Sequence, residues 1–428
     1  MKTDELNKIY RDKKGEFMNR VVVTGIGAMT PLGIGVDEFW SNIKAGKCGI
    51  EKITHFETEG FKVKIGAEVK NFEPEKFIDK REVKKLDRYS QLALAAASEA
   101  MENSNLSLEE VEKERFGVII GSGVGGIDTT EKEVIKLHEK GPRRVTPFLI
   151  PMMISNMAAG NIAIKYGARG VCNTVVTACA SGSSAIGEAF RHIKHGYADV
   201  MLAGGTEAGI TPTAVAGFSN LTALSTNEDV KTASRPFDKD RDGFVIGEGS
   251  GVLILESLDH AVKRGAKIYA EVVGYGATCD AYHITSPAPG GEGAVRSMRA
   301  AMEEAKINKE EISYINAHGT STPYNDKLET EAIKTTFGEQ AYKIPINSTK
   351  SMIGHLLGAS GAVESIVCIK SLQDGFVHAT LGLENPDEGC DLDYVPKVGR
   401  GIELKYALTN SLGFGGHNAT LVFKKWGE

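Results

Sequence analysis

The feature that most constrains this chain is a short β-branched run that ends in a cysteine and leads into a helix. The run is Val175-Val-Thr-Ala-Cys179-Ala-Ser-Gly182. Val and Thr favour strands, whereas Ala180 through Lys194 place apolar residues on one helical face and Gly196 can cap its end. We therefore predict a short buried strand, a sharp turn at Cys179, and a helix.

A cysteine at the start of a helix faces unpaired backbone amides and the positive end of the helix dipole, which stabilise a thiolate. The effect is about 0.3–2 kcal/mol, or at most roughly 1.5 pKa units at about 1.36 kcal/mol per unit. We therefore expect Cys179 to be a better nucleophile than a free thiol, but not a complete catalyst.

The composition is typical of a large globular chain. With 428 residues, the sequence is too long for one ordinary core and suits two domains or one large duplicated domain. Its 49 glycines favour several tight turns. The net charge of -6 gives no whole-molecule argument for nucleic-acid binding.

Cysteine usage and the amino terminus bear on the compartment. The six cysteines contain no CxxC pair, so we expect reduced thiols in a cytoplasmic protein. No run of about 18 apolar residues predicts a membrane span. Residues 1–17 are charged throughout and lack the apolar core of a signal peptide, so we interpret them as an extension, a tag or a mis-assigned start before Met18.

Two glycine-rich turns follow predicted strands and must be weighed as dinucleotide sites. The strand Arg20-Val-Val-Val-Thr-Gly-Ile-Gly27 has Thr30 where a third glycine is required. Gly121, Gly123 and Gly126 do satisfy G-x-G-x-x-G, but no acidic residue closes a following strand at the expected distance. We therefore interpret both stretches as tight turns.

The rest of the first half alternates helices and strands. We predict helices near residues 37–46, 88–101 and 151–165, a strand from Asp199 to Gly205, and a long connection over residues 206–235. A connection of that length often covers a functional site.

Asp238, Asp240 and Asp242 begin a pattern that resembles a calcium loop. The closing glutamate should occupy position 12, which is Gly249, and Glu248 is one place short. We expect a salt-bridged turn here and no metal site.

Two small basic clusters also occur in the first half. Arg81, Lys84 and Lys85 precede the Ala-rich helix, and Arg143 with Arg144 form the second cluster. On their own, such clusters are typical of solvated surfaces.

The stretch Glu271-Val-Val-Gly-Tyr-Gly276 is similar to Val21-Val-Val-Thr-Gly-Ile-Gly27 about half a chain earlier. Strands, helices and glycine turns recur in each half, which indicates two similar α/β halves. We place the half with the nucleophilic cysteine at residues 18–268 and the second half at residues 269–428.

Three segments of the second half are candidate site segments. Ile312-Ser-Tyr-Ile-Asn-Ala-His318 and Ile344-Pro-Ile-Asn-Ser-Thr-Lys350 are strands that end in polar loops, the second of which reaches His355 before a helix near residues 357–373. Leu408 to Asn418 is a glycine hairpin between the last two strands. Because sites collect at the carboxyl ends of strands in α/β sheets, we expect Cys179, His318 and His355 to converge.

One cysteine with two histidines suits several chemistries. A cysteine hydrolase needs an orienting carboxylate or amide, a metal site prefers three or four ligands, and a carbon–carbon condensing enzyme needs a thiol and donors for an enolate. The two histidines with Lys350 suit the condensing enzyme well, but spacing alone does not decide among the three.

Four motifs taken together resemble the β-ketoacyl-acyl-carrier-protein synthases. They are Val176-Thr-Ala-Cys179-Ala-Ser-Gly, Asn316-Ala-His318-Gly-Thr-Ser-Thr-Pro, Ser348-Thr-Lys350-Ser-Met-Ile-Gly-His355 and Asn410-Ser-Leu-Gly-Phe-Gly-Gly-His-Asn418, in the family's order and spacing. Arg235-Pro-Phe-Asp-Lys-Asp-Arg-Asp-Gly-Phe and Leu356-Leu-Gly-Ala-Ser-Gly-Ala-Val-Glu364 resemble the type II elongating synthases. The resemblance extends from about Asn19 to Lys425.

The resemblance implies a thiolase-like fold with a duplicated five-layered α-β-α-β-α arrangement, and a homodimer. It implies an acyltransferase that elongates fatty acids by decarboxylative condensation of malonyl-acyl carrier protein with an acyl chain. The partner is acyl carrier protein, which itself carries phosphopantetheine. No further cofactor, metal, nucleic acid or membrane is implied.

The resemblance also implies roles for individual residues. Cys179 would hold the acyl chain, while His318 and His355 would promote malonyl decarboxylation and stabilise the carbanion, tuned by Lys350, which Glu364 would hold. The backbone amides of Cys179 and Phe414 would form the oxyanion hole, with Phe414 also acting as a gate.

Further positions are implied for substrate and partner. Thr320 and Thr322 would bind the phosphopantetheine arm, and Val124 and Phe218 would line the acyl pocket. The two basic clusters would dock the carrier protein. The chain departs from many members at Leu412, where they carry Phe, and at His417, where others carry Thr.

Four alternatives remain beside the elongating synthase. They are a polyketide-type ketosynthase subunit, a coenzyme A-using thiolase, the non-catalytic chain-length partner of a polyketide complex, and a dinucleotide-binding protein, which an absorbance spectrum free of cofactor would exclude. A thiolase would carry a second catalytic cysteine near its carboxyl terminus, where this chain has Phe414. A chain-length partner usually lacks the active cysteine, which is present here.

Overall fold

The structure is a computed structural model that describes residues 10, 11 and 17 to 427. Apart from Tyr10, Arg11 and Phe17, the predicted extension over residues 1–17 lies outside the described residues. The two-residue strands Tyr10–Arg11 and Phe17–Met18 pair with each other in antiparallel orientation.

Eleven strands of the described chain form its main sheet, ten of them in one continuous order. These ten are β1 Val21–Thr30, β2 Phe116–Gly121, β3 Cys172–Val175, β4 Val200–Ala208, β5 Glu248–Ser257, β6 Ala270–Cys279, β7 Ile312–Asn316, β8 Ile346–Asn347, β9 Tyr406–Gly413 and β10 His417–Lys425. The eleventh is the short strand Gly33–Ile34, which pairs beside β1. Other short strands lie at Glu51–Lys52, Ile65–Gly66, Phe376–Val377 and Arg400–Gly401.

The helices of the same residues alternate with these strands. They are α1 Val36–Lys44, α2 Lys80–Val83, α3 Arg88–Ser104, α4 Ile127–Lys140, α5 Leu149–Met153, α6 Met157–Tyr166, α7 Ser181–Lys194, α8 Pro212–Asn220, α9 Leu258–Lys263, α10 Glu292–Ala305, α11 Pro323–Phe337, α12 Lys350–Ile353 and α13 Ser360–Asp374. Short 3-10 turns lie at Pro74–Lys76, Lys113–Arg115, Pro142–Arg144, Ala178–Ala180, Pro289–Gly291, Lys309–Glu311, Gly338–Lys343 and Leu357–Ala359.

The strand order shows the internal duplication. From one edge to the other it is β8-β7-β9-β10-β6-β1-β5-β4-β2-β3, so that β1 to β5 and β6 to β10 repeat one order on either side of the centre. Each half has the same pattern of two parallel and two antiparallel pairings. Within the sheet, the two halves are joined by three residue pairs between β6 and β1, centred on Glu271 and Val22.

Helices cover both faces of each five-stranded unit. α7 and α13 lie in the middle and contact strands of both halves. α3 and α6 pack outside the first unit, and α10 and α11 pack outside the second. The predicted duplicated five-layered α-β-α-β-α fold is therefore confirmed.

Glycines of the two central strands let the outer helices approach closely. A Cβ atom on Gly27 would lie 2.0 Å from the carbonyl oxygen of Ala96 in α3, and one on Gly276 would lie 1.9 Å from that of Ser297 in α10. Gly25 and Gly274 make the same approach two residues earlier. All four glycines lie inside ten-residue strands, so the tight turn predicted at Gly27 is wrong, and these glycines are instead helix-packing positions repeated in both halves.

Several predicted elements need correction. The strand before Cys179 was expected to be buried, but β3 is an edge strand with exposed and half-exposed residues. The helix predicted over residues 151–165 is two helices, α5 and α6, interrupted at residues 154–156. The connection over residues 206–235 contains α8.

Other boundaries agree within a few residues, including those of α1, α3 and α13. The end of α7 is capped as predicted, since Gly196 has a φ of +77° and donates its N–H to the carbonyl oxygen of Ile193. None of the helices in the part of the chain that the structure describes is long and apolar enough to cross a membrane.

The glycine contacts predict the effect of adding one methyl group. We expect Gly27→Ala and Gly276→Ala each to destabilise the fold by about 1–3 kcal/mol, the usual cost of overpacking a tight core. Gly217→Ala is the matched control, because a Cβ there meets nothing within 4 Å in the exposed face of α8. Thermal melting of the three variants checks this; unchanged midpoints for the first two would contradict the packing argument.

Candidate active site

Cys179 lies in a strained turn between β3 and α7. Ala178 has a φ of +50°, a left-handed conformation that costs a non-glycine residue roughly 1–2 kcal/mol. Ser181 holds the turn, because its hydroxyl accepts the N–H of Thr177 at 3.0 Å and donates to the carbonyl oxygen of Ala178 at 2.6 Å. Gly413 must lack a side chain here, since its Cβ would lie 2.6 Å from the oxygen of Thr177.

The pKa of the Cys179 thiol moves in the direction opposite to the one expected. Burial raises it to about 11, and this outweighs the lowering by the charge of Lys350 and by the backbone amides of Phe414 and Cys179. The helix start therefore does not by itself make Cys179 a thiolate. Those two amides, which the resemblance assigns to an oxyanion hole, do lie close enough to the sulfur to influence it.

The two predicted histidines meet beside the cysteine. The ring centroids of His318 and His355 lie 5.4 Å apart and their planes are nearly perpendicular. Both side chains are buried, and both line one cavity of about 350 Å³ with Cys179. The expected convergence of Cys179, His318 and His355 is confirmed.

Both histidines are neutral. Burial and the charge of Lys350 hold the pKa of His355 well below its ordinary value, and the same two causes with His355 lower that of His318. The Nδ1 of His355 accepts the N–H of Leu357 at 3.2 Å and lies 2.9 Å from the hydroxyl of Ser360. Its proton is therefore on Nε2, which makes that nitrogen a hydrogen-bond donor.

Lys350 and Glu364 form a buried ion pair behind the histidines. Their charged atoms lie 2.5 Å apart and both side chains are 1% exposed. Burial raises the pKa of Glu364, while the ammonium of Lys350 lowers it. The predicted link between these residues is present, and the positive charge acts on Cys179, His318 and His355.

A buried carboxylate that sequence reasoning missed organises the glycine loop after β2. Glu207 accepts the backbone N–H groups of Gly123, Val124 and Gly358 and the hydroxyl of Ser122, at 2.7 to 3.1 Å. The amides that a dinucleotide phosphate would need are thus occupied by the protein itself. This explains the G-x-G-x-x-G match without a nucleotide; an acidic residue ending an apolar strand was the available signal.

A second missed carboxylate positions His318. Glu329 in α11 accepts the backbone N–H groups of His318 and Gly319, each at 2.8 Å. Burial raises the pKa of Glu329 to about 7. Glu329 lies eleven residues after His318 in an otherwise amphipathic helix, so the neighbouring sequence does not predict this contact.

The loop after His318 is fixed by a buried arginine. Arg241 is 6% exposed and donates to the carbonyl oxygens of Thr322 and Pro323 at 2.9 and 2.6 Å. The predicted salt-bridged turn is confirmed around it, because Asp242 pairs with Arg235 at 2.9 Å, and Asp238 accepts the backbone N–H groups of Asp240, Glu384 and Asn385.

The cavity extends from Cys179 past the positions that the resemblance assigns to substrate. Thr320 and Thr322 line it, with their hydroxyls 2.8 Å apart, and so do Phe218, Leu412 and Phe414. Val124 does not line this cavity, since its side chain is 38% exposed on the surface. Leu412 also packs against the core of the second half, as expected for a packing change.

The two basic clusters are exposed and adjacent. Lys85 stacks over the ring of Phe148, four residues after Arg144, with 5.7 Å between the ammonium and the ring centre. Arg81 pairs with Asp79 and Lys85 with Glu82. Lys84, Arg143 and Arg144 are exposed.

Comparisons with known proteins give one consistent match. The family model described as the N-terminal domain of beta-ketoacyl synthase matches residues 18–261, and the C-terminal model matches residues 269–384. The chain is 53% identical over 407 residues to "3-oxoacyl-[acyl-carrier-protein] synthase 2" of Staphylococcus aureus strain COL, covering 95% of this chain and 98% of the relative. The protein of that name from Synechocystis is 52% identical over 408 residues, with the same coverage.

Solved structures agree with this match. A type II polyketide ketosynthase, solved in complex with its acyl carrier protein and bound to a hexaketide, is 40% identical with a TM-score of 0.88 over 95% of this chain and 99% of its own. The ishigamide ketosynthase/chain length factor is 35% identical with a TM-score of 0.91, over 96% and 100%.

The raised pKa of Cys179 predicts how the thiol responds to pH. We expect its alkylation by iodoacetamide to accelerate about tenfold per pH unit up to pH 10, because the thiolate fraction keeps rising below a pKa near 11. Peptide-resolved mass spectrometry measures this rate for each cysteine. A plateau below pH 8 would contradict the burial argument.

The same measurement on Lys350→Met should give slower labelling at every pH below 10, because the lysine charge lowers the pKa of Cys179. Lys334→Met is the matched control, since that ammonium pairs with Asp391 and is not among the charges that shift the pKa of Cys179, so the profile should be unchanged.

Proposed function

Because the chain belongs to the β-ketoacyl synthase family, we propose that its cavity elongates acyl chains held on Cys179. It is a condensing acyltransferase whose reaction is that of its curated relatives, the synthesis of 3-oxoacyl chains on acyl carrier protein. The assignment of residues rests on one observation. One cysteine and two neutral histidines line the same cavity.

In the first half-reaction, the sulfur of Cys179 attacks the thioester of an acyl carrier protein. The acyl–sulfur bond to the carrier breaks, and the leaving carrier thiol ends with the proton that Cys179 loses. The amides of Cys179 and Phe414 donate to the carbonyl oxygen as it becomes negative. Removing one donor of this kind typically costs about 10²–10³ in rate.

In the second half-reaction, a malonyl thioester loses carbon dioxide and its thioester oxygen gains negative charge. Neutral histidines suit this step, because Nε2–H of His355 can donate a hydrogen bond to that oxygen, whereas an imidazolium could transfer its proton and quench the carbanion; His318 lies beside it. The carbanion attacks the acyl carbonyl on Cys179, the sulfur leaves as a thiolate that takes up a proton from solvent, and the product is a 3-oxoacyl chain two carbons longer. Burial and the charge of Lys350, which Glu364 holds, keep both histidines unprotonated.

Other residues receive the substrate. We assign the hydroxyls of Thr320 and Thr322 to the amides of the phosphopantetheine arm, Phe218 to the acyl pocket, and Phe414 to a gate that moves when Cys179 is acylated. Val124 lies outside the cavity of the single chain, so we assign it to the acyl pocket only in the dimer proposed below. Arg81, Lys84, Lys85, Arg143 and Arg144 are assigned to docking of the acidic carrier protein. The adjacency of the two clusters through Lys85 and Phe148 supports a single docking surface.

We also propose a homodimer, because one face of the described chain is apolar. Its exposed apolar side chains lie on α4 to α6 and beside the edge strand β3: Val134, Ile135, Leu137, Ile150, Ile154, Ile164 and Val176. Clusters of this kind mark protein interfaces, and an unpaired edge strand favours pairing with a second copy. Val124 is exposed in the same part of the chain, so a second copy would enclose it.

The remaining assignments follow from the same reaction. We propose that the chain works in the cytoplasm with reduced cysteines, uses no cofactor beyond the carrier's phosphopantetheine, and divides between its two halves near residue 268. A polyketide role is the second candidate, since ketosynthases of that kind are 35–40% identical. The higher identity to fatty-acid-type relatives, 52–53%, favours fatty acid elongation.

The function is tested by separating the two half-reactions. After incubation with dodecanoyl- or palmitoyl-acyl carrier protein, intact mass should show an acyl adduct that is absent in Cys179→Ala and retained in the control Cys279→Ala. His318→Ala should keep the adduct but lose carbon dioxide release from malonyl-acyl carrier protein by more than about 10², as when a key charge-stabilising donor is removed.

Undiminished carbon dioxide release by His318→Ala would contradict the assignment of His318 to the decarboxylation step. Adduct formation that is more efficient from acyl-coenzyme A than from the carrier would favour a thiolase-like or starter-unit enzyme. No adduct from either donor would favour the non-catalytic chain-length role.

The dimer is tested by sedimentation velocity. The wild-type chain should sediment at twice the monomer mass of 45.9 kDa, and Val176→Glu should shift it toward monomer because a carboxylate would be buried in the interface. Val398→Glu is the matched control, since that valine is also exposed but lies outside the apolar face. A monomeric wild-type chain would exclude the proposed interface.

A further inference from the structure

A buried histidine outside the cavity touches the segment that carries Lys350. His378 follows the short strand Phe376–Val377 and is 0% exposed. Its Nδ1–H donates to the carbonyl oxygen of Ala379 at 2.8 Å, and its Nε2 lies 3.0 Å from the hydroxyl oxygen of Thr349. Because Nδ1 is the protonated nitrogen, Nε2 is an acceptor and the hydroxyl of Thr349 must donate to it.

The hydroxyl of Thr349 is also an acceptor in the same chain of contacts. The side-chain amide of Asn316 donates to it at 2.8 Å. The hydrogen bonds therefore run in one direction, from Asn316 through Thr349 to His378, and each bond polarises the next. We call these residues the Asn316–Thr349–His378 chain.

The chain joins the two loops that bear the reacting groups. Asn316 ends β7 two residues before His318, and Thr349 directly precedes Lys350 at the start of α12. Asn347 makes a second connection between these segments. Its side-chain N–H donates to the carbonyl oxygen of His378 at 2.7 Å, and its side-chain oxygen accepts the hydroxyl of Tyr314 at 2.7 Å.

Building on the proposed function, we propose that His378 is a positioning residue for the decarboxylation half-reaction. As the terminal acceptor it fixes the hydroxyl of Thr349, and thereby the spacing between the loop of His318 and the loop of Lys350. Burial holds the pKa of His378 at about 4, so the imidazole is a neutral acceptor at physiological pH.

The acylation half-reaction is expected to depend much less on this chain, because the chain affects Cys179 only through the charge of Lys350. The turn of Cys179 is held by Ser181 and by the close approach of Gly413, which belong to α7 and β9. In the described part of the chain, neither residue is hydrogen-bonded to the side chains of Asn316, Thr349 or His378. A positioning role therefore predicts a much larger loss in decarboxylation than in acylation, whereas a general packing role predicts equal loss of both.

The test uses three variants and one control. His378→Phe keeps the ring shape but removes the acceptor, Thr349→Val is nearly isosteric and removes the donor, and His378→Gln restores a side-chain acceptor. Thr336→Val is the matched control. The buried hydroxyl of Thr336 has no hydrogen-bond partner in the described part of the chain, and Thr336 lies in the last turn of α11, at the end of the helix away from the cavity.

We expect His378→Phe and Thr349→Val each to slow carbon dioxide release from malonyl-acyl carrier protein at least tenfold, with acylation of Cys179 within twofold of wild type. His378→Gln should stay within threefold of wild type in both, and Thr336→Val should be unchanged. The double variant His378→Phe/Thr349→Val should be no slower than the worse single variant, because both break the same chain.

Decarboxylation at the wild-type rate in His378→Phe or Thr349→Val would overturn the proposal. So would equal loss of both half-reactions together with a lower melting temperature. If His378→Phe does not fold, Thr349→Val decides the matter alone. A wild-type chain that releases no carbon dioxide would instead overturn the proposed function, so the two failures are distinguishable.

Discussion

The buried ion pair between Lys350 and Glu364 is the interaction on which the chemistry of this site depends. Two charges at 2.5 Å, both 1% exposed, are stable only as a pair, since removing one partner of such a pair typically costs about 3–5 kcal/mol. The ion pair also affects the protonation of the reacting groups. The charge of Lys350 lowers the pKa of Cys179 and of both histidines, so one ammonium favours ionisation of the nucleophile and opposes protonation of its neighbours. A condensing reaction needs both effects at once, because a protonated imidazole could transfer its proton to the enolate and quench it before carbon–carbon bond formation.

The duplication of the fold explains how these groups meet. Each half delivers its reactive loops at the carboxyl ends of its parallel strands, β3 in the first half and β7 with β8 in the second. The middle layer then brings the halves together, because α7 starts two residues after Cys179 and α13 carries Glu364. Neither half contains a complete site. Close packing of this layer depends on residues without side chains, such as Gly182 and Gly361, whose added Cβ atoms would lie within 3 Å of the neighbouring backbone or of Ser183.

The sequence was sufficient to predict which strand ends carry Cys179, His318 and His355, because hydrophobic patterning locates strands and the fold class places their ends together. It failed where the outcome depended on long-range burial. The start of the helix predicts a lowered pKa for Cys179 because it is a local feature, whereas burial, which raises this pKa, depends on distant residues such as Phe218 and Leu357. The sequence predicts a buried β3 because a β-branched composition does not distinguish a central strand from an edge strand. Glu207, Glu329 and His378 were missed for the same reason, since each acts through contacts with distant segments.

The glycine loop after β2 shows why such contacts decide function. Gly121, Gly123 and Gly126 match a nucleotide fingerprint, and their loop does present a cluster of backbone N–H groups, as a phosphate site would. The cluster is closed by Glu207, an internal anion that also accepts the N–H of Gly358 beside the His355 loop. The same backbone geometry that binds a phosphate in other folds therefore joins the two halves here. A short motif specifies a backbone shape, and the side chain that fills this shape determines whether it binds a ligand or fixes a catalytic loop.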